Sequence, residues 1–138
     1  TDVWRVTLVA DEGANDNDKT VITVPGGEEV QILWIWIEYT SDANVGDRQL
    51  VVEVQDAAND VIGQIRVGQV QAASLTRYYM LAPTLADHLA FRDTDYLMSP
   101  LPAGFILRAG DQLRIYDNNN VSAADDMVVQ VQAGEREI

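Results

Sequence analysis

The stretch QILWIWIEYT, Gln31 to Thr40, decides how this chain is read. Laid out as a β-strand, it puts Ile32, Trp34 and Trp36 on one face and Leu33, Ile35, Ile37 and Tyr39 on the other, because successive side chains point to opposite sides. Both faces are apolar. An antiparallel strand with one wet face alternates apolar and polar residues. Each side of this segment therefore needs a cover, and the nature of the second cover bears on function.

Working outward, the neighbouring segments show the period-two pattern of half-buried strands. VWRVTLVA, Val3 to Ala10, sets Trp4, Val6, Leu8 and Ala10 against Arg5 and Thr7. Core packing is the expectation for Trp4, and equally for Trp34 beside Ile32. The acidic loop DEGANDNDK follows, then TVITV, closed by Pro25, Gly26 and Gly27, where proline ends a ladder and glycine permits a reversal. RQLVVEVQ sets Leu50, Val52 and Val54 against a wetter side, and DAAND joins it to VIGQIRV as a hairpin. In SLTRYYML the neighbours Tyr78 and Tyr79 point to opposite faces, so at least one is expected outside. The run from Ala82 to Asp95 reads either as a helical turn or two, with Thr84 as cap and Leu85, His88 and Leu89 at helix spacing, or as a long irregular loop. FILRAGDQLRIYD is strand, Ala-Gly-Asp turn, strand. After the acidic loop Asn118 to Asp126, MVVQVQA gives a last strand.

Eight or nine short strands, with turns at sandwich spacing and no competing long helix, predict an all-β fold. The expected form is a two-sheet antiparallel sandwich of the jelly-roll type with about eight strands, in a single domain over residues 1–138.

The totals narrow the function. Among 138 residues, 22 acidic side chains oppose 9 basic ones, for a net charge of -13. Such a surface repels phosphate backbones and anionic lipid, so neither nucleic acid nor membrane is an expected partner. Cysteine is absent and His88 is the single histidine, which removes disulfides, thiolate chemistry and the usual zinc sites. ILWIWI is too short to cross a bilayer as a helix, and the N-terminus lacks the pattern of a signal peptide. Asp87, His88, Arg92 and Asp93 lie close in sequence, but no serine sits in a nucleophile-elbow context to complete a catalytic set. The acidic loops, with Asp11, Glu12, Asp16, Asp18, Asp117, Asp125 and Asp126, offer the oxygen ligands that calcium favours without the order of an EF-hand. Solvated loops are the expected reading. No enzyme activity, catalytic residue, cofactor or metal is expected.

Two covers for the second apolar face stay open and weigh equally. One is internal: the Ala82 to Asp95 connection or the N-terminal strand folds across it. The other is a neighbouring subunit, since a cluster of large exposed apolar side chains marks an interface. The residues available for such a contact are Leu33, Trp34, Ile35, Trp36, Ile37 and Tyr39, with whichever of Tyr78 and Tyr79 points outward.

LPAGFILRAGDQLRIYD, Leu101 to Asp117, together with VVEVQDAANDVIGQI and SLTRYYMLAP, resembles the small jelly-roll virion proteins of tailed bacteriophages, which act as head decoration or stabilisation proteins or as tail components. The strand, Ala-Gly-Asp, strand motif also recurs in trimeric jelly rolls of the tumour-necrosis-factor and complement-like type. The resemblance, over about Val30 to Ala133, implies a capsid decoration or cement subunit in a virion assembled in the host cytoplasm. It further implies a homo-oligomer, with a trimer favoured, and contacts to the major capsid or other virion proteins. It carries over no catalytic residues. The rival reading is a carbohydrate- or receptor-binding sandwich of tail or fibre type, with a glycan as partner.

Overall fold

The computed structural model describes residues 4–12, 16–88, 90 and 92–138, the side chains of 7–12 excepted. The strands are β1 (Arg5–Glu12), β2 (Asp18–Thr23), β3 (Glu28–Thr40), β4 (Leu50–Gln55), β5 (Val61–Arg66), β6 (Thr76–Pro83), β7 (Tyr96–Leu101), β8 (Ile106–Leu107), β9 (Gln112–Asp117) and β10 (Asp126–Glu137). One sheet has the order β1-β10-β3-β6-β7, with β8 also pairing β3, and the other the order β2-β9-β4-β5.

The pairings are nested. β4 pairs β5, β3 pairs β6, β2 pairs β9 and β1 pairs β10, all antiparallel. A long ribbon of paired strands has thus been rolled so that successive pairs alternate between two sheets, which is the jelly-roll arrangement. The turns follow their residues: Gly110, at φ 85, takes the left-handed position of the Ala-Gly-Asp turn and donates from its N–H to the Val24 carbonyl at 2.9 Å.

β7 is an addition that the sequence reading leaves unassigned. It runs parallel to β6, and a parallel partner needs a crossover of about a dozen residues, which the segment between Pro83 and Tyr96 provides. Its Pro100 is tolerated because β7 ends the order of its sheet. Over Leu85 to His88 the crossover takes the irregular form of the two considered above, and Leu89 and Phe91 lie outside the described residues. Asp87 accepts hydrogen bonds from the Met98 N–H at 3.1 Å and from Arg92 at 2.6 Å, which holds it beside β7. The N-terminal strand is no cover, since β1 extends the same sheet by pairing with β10.

The decisive feature lies inside β3. Gln132 of β10 pairs with Trp34, but the next residue, Ala133, pairs with Ile32. Leu33 is an extra residue, a β-bulge, and it inverts the alternation at that point. Consequently Val30, Ile32, Ile35, Ile37 and Tyr39 all face the core, at 0–4 % exposure. Trp34 and Trp36 face outward and are half-buried. A strict period-two reading splits Ile32 from Ile35 and groups it with the tryptophans; the bulge reverses that grouping. The core they enter is built from both sheets, with Leu50, Leu113 and Ile115 opposite Leu81, Val129 and Val131. Each fully buried aliphatic side chain contributes about 1.5–3 kcal/mol, so this phase is held far more firmly than a register exposing Ile35 and Ile37.

Candidate interaction face

The outer face of the larger sheet collects the rings. Along β3 the outward residues after the bulge are Trp34, Trp36, Glu38 and Thr40. On β6 they are Tyr78 and Met80, and the parallel register sets Tyr96 beside Tyr78 and Met98 beside Met80. The Trp36 and Tyr78 rings stack with centroids 5.6 Å apart and planes at 26°, and Tyr78 and Tyr96 stack at 4.8 Å and 18°. Three strands thereby carry one continuous ladder of rings. Trp34 donates from its indole N–H to Gln132 Oε1 at 2.6 Å. Near the other edge Trp4 lies against Gly134, and the Arg136 guanidinium sits 4.5 Å over its ring while also pairing with Glu29 at 3.1 Å. All three tryptophans of the chain therefore sit on this face and none in the core, contrary to the expectation for Trp4 and Trp34.

In such a ladder the rings turn their faces toward one another and their edges to solvent. Offset stacking of this kind stabilises by about 0.5–1.5 kcal/mol per pair beyond area burial. Tyr96 ends the stack and is 44 % exposed.

The candidate interface residues divide cleanly. Trp34, Trp36 and Tyr78 are on the outer face, and Leu33 is the half-buried bulge residue beside them. Ile35, Ile37, Tyr39 and Tyr79 are core residues at 0–1 % exposure and offer nothing to a partner. Tyr39 and Tyr79 each pair their hydroxyl internally, with Asp125 Oδ2 at 2.7 Å and Gln71 Oε1 at 2.7 Å. Burial above all pushes both phenols well above the usual tyrosine range. Trp4, expected in the core, and Met80, Tyr96 and Met98 belong to the face but are not among the residues expected for a contact. Alternation alone could have joined Tyr78 to Met80; the parallel partner strand gave no local sign.

Other polar clusters are architectural. Arg48, 1 % exposed, ties the loop after β3 to the loop before β10: Nε bonds Asp125 at 3.0 Å, one terminal nitrogen bonds Asp42 at 2.8 Å, and the other the carbonyls of Asn44 and Gly46. Asp117 accepts from the backbone N–H groups of Gln49, Asn119 and Val121. These two loop aspartates are thus turn staples. On the outer face of the smaller sheet Glu53, 2 % exposed, accepts from Gln64, Tyr116, Gln55 and Arg114. Burial pushes its carboxyl up, but those donors outweigh burial and hold it below the ordinary glutamate range. His88 is exposed, and its neighbour Asp87 is committed to Arg92 and to the backbone of Met98.

No family model and no curated protein matches the chain. Among solved structures it is similar to disulfide-linked pili of Bacillus endospore appendages, at 10 % identity over 99 % of this chain and 88 % of that one, with a TM-score of 0.40. It is similar to a chain of the T13 particle of infectious bursal disease virus, at 8 % identity over 97 % of this chain and 31 % of that one, with a TM-score of 0.42. A third likeness is to an arabinose-bound α-L-arabinofuranosidase, at 10 % identity over 91 % of this chain and 18 % of that one, with a TM-score of 0.44. The chain thus spans less than a third of the viral and the enzyme chains. These likenesses join a pilus, a virus particle and a glycosidase, so any function must be argued from the aromatic face itself.

Proposed function

We propose that this chain is a structural subunit of a virion, a decoration or cement protein that oligomerises and grips neighbouring subunits through the outer face of its larger sheet. The observation that carries this reading is the gathering of Trp4, Trp34, Trp36, Tyr78 and Tyr96 on one face whose opposite side is already filled by aliphatic core. Tryptophan, tyrosine and methionine are enriched in interface centres, and the two ring side chains bury much area at low entropic cost. The N-terminal strand, one of the two covers expected for this face, extends the sheet instead of roofing it. The virion setting rests on the resemblance of Leu101 to Asp117 and its companion segments to tailed-phage jelly rolls. No enzymatic step is assigned.

The ladder favours protein contact over a sugar platform. A glycan stacks on an open ring face, whereas Tyr78 has a ring on each side. Trp36 and Tyr96 end the stack, and Tyr96, the more exposed of the two, keeps the rival glycan reading in view.

Light scattering coupled to size exclusion tests the proposal. The wild type is expected to run as an oligomer, with a trimer favoured, and Trp36→Asp as a folded monomer. A wild type that stays monomeric at high concentration, with glycan-array binding lost in Tyr96→Ala, would overturn it in favour of the carbohydrate module.

A further inference from the structure

The smaller sheet carries a polar pocket at one end, where β2 begins and β9 runs into its following loop. The pairing of these strands extends one residue beyond Asp18 and Tyr116, because the Asn17 carbonyl accepts from the Asp117 N–H at 2.9 Å. Asn17 is thereby set against the run Asn118, Asn119, Asn120, in which Asn120 takes φ 47, a left-handed position that asparagine tolerates. Between them lies a cavity of about 190 Å³ lined by Asn17, Asp18, Arg114, Tyr116, Asp117, Asn118 and Asn120.

Every charge in that lining is already answered. Asp18 gives its two oxygens to Arg114, at 2.8 and 2.6 Å, and Arg114 also reaches Glu53 at 3.2 Å while lying 4.0 Å over the Tyr116 ring. Asp117 spends its oxygens on three backbone N–H groups. What is left over is amide. Asn17, 4 % exposed, donates from Nδ2 to Asn120 Oδ1 at 3.1 Å, and its Oδ1 accepts from no group among the described residues. Nδ2 of Asn120 and both ends of the Asn118 amide likewise have no partner among the described residues. Asn119 is the contrast, since its amide donates to the Asp47 carbonyl at 2.7 Å and it is not part of the lining. An enclosed polar side chain with an unmet acceptor is costly, and a ligand hydroxyl removes that cost.

We infer that this pocket binds a neutral sugar unit through the amides of Asn17, Asn118 and Asn120. A cation would meet the Arg114 guanidinium and carboxylates whose oxygens are all engaged, and an anion would have to enter between Asp18 and Asp117 in a chain of net charge -13. A neutral ligand remains. A side-chain amide presents donor and acceptor side by side, as neighbouring ring hydroxyls do, whereas a trans peptide group carries its N–H and C=O on opposite sides. The volume lies below the roughly 300–1,000 Å³ of drug-sized sites, which suits one ring. The pocket belongs to the smaller sheet and Tyr96 to the larger, so this inference neither rests on the assembly reading nor contests it.

Proton–nitrogen correlation spectra of the labelled protein, titrated separately with glucose, galactose, mannose and N-acetylglucosamine, test it through the asparagine side-chain signals. At least one sugar is expected to shift the Asn118 and Asn120 amides saturably in the millimolar range while the Asn119 amide stays in place. Asn118→Ala removes one exposed amide, and Asn120→Asp keeps the acceptor that Asn17 uses while deleting the unpaired donor. Each is expected to weaken binding about two- to tenfold at an unchanged melting temperature, and Tyr96→Ala to leave binding as it was. Titrations in which no sugar moves these signals, or in which Asn119 shifts with its neighbours, overturn the inference. So do Asn118→Ala and Asn120→Asp proteins that bind as the wild type does, and calcium chloride or inorganic phosphate shifting the same amides in place of the sugars.

Discussion

Deleting Leu33 should leave the protein folded and close to wild-type stability, although the residue lies in the middle of the longest strand. Without it, β3 reads Val30, Gln31, Ile32, Trp34, Ile35, Trp36, Ile37, Glu38, Tyr39, a strict alternation in which every present core residue still faces the core. The loss is the half-burial of one leucine, about half of the 1.5–3 kcal/mol for full burial, or roughly 1 kcal/mol, offset in part by the ladder hydrogen bonds that a bulge interrupts. Deleting Ile35 is the control. The chain then keeps phase only by seating Trp34 in the 0 %-exposed site of Ile35 and giving up the Trp34–Gln132 hydrogen bond. Overpacking of that size costs about 1–3 kcal/mol and sometimes more, and the hydrogen bond about 0.5–1.5 kcal/mol. Urea unfolding followed by far-ultraviolet circular dichroism measures both, with an unchanged denaturant slope for the Leu33 deletion. A loss of 3 kcal/mol or more on deleting Leu33, or equal losses for the two deletions, would refute the assignment of Leu33 as the extra residue and with it the outward placement of the tryptophans.

Ile35→Asp buries a carboxylate at a fully enclosed site and should abolish folding, whereas Trp36→Asp should cost about 1–2 kcal/mol in the monomer and act chiefly on assembly; thermal melts beside light scattering separate the two. Arg48→Met leaves Asp125 buried without its cation and should destabilise by about 3–5 kcal/mol in chemical unfolding, and Arg48→Lys should not restore stability, because one ammonium cannot reach Asp125, Asp42 and two carbonyls together. Glu53 has a folded-state carboxyl below its ordinary value of 4.5, so the unfolded chain takes up the proton first. Its contribution is therefore complete above that value and lost as pH falls below it, and Glu53→Gln should flatten the acid limb of a stability-against-pH curve. An unchanged acid limb in that variant would show that the four donors do not act on the charged form.

The bulge also explains why one part of the fold was legible and another was not. Turn residues such as Pro25 to Gly27 and the Ala-Gly-Asp turn act locally, and alternation in Leu50 to Gln55 or Met127 to Ala133 reports one buried face directly. Those signals led to a two-sheet sandwich. In β3 every residue from Ile32 to Ile37 is large and apolar, so composition is silent on which residue is supernumerary. The partner strand supplies the answer, because Val129, Val131 and Ala133 on β10 keep a regular spacing that β3 must match with one residue too many. β7 was hidden for a related reason: a parallel edge strand ending in Ser-Pro-Leu has neither a hairpin turn nor an unbroken apolar run to announce it.

By itself, then, the amino-acid order determined that this chain forms short strands punctuated by turns and that it packs as a jelly roll. The direction in which Trp34 and Trp36 point, the alignment of Tyr96 with Tyr78, the enclosure of Arg48 by Asp42 and Asp125, and the exposure of Arg66 and Arg108 were decided only in three dimensions. The physical reason is range. Turn propensity and side-chain alternation act between near neighbours in the chain, while register, bulges and charge pairing depend on strands brought together from positions as distant as Trp34 and Gln132.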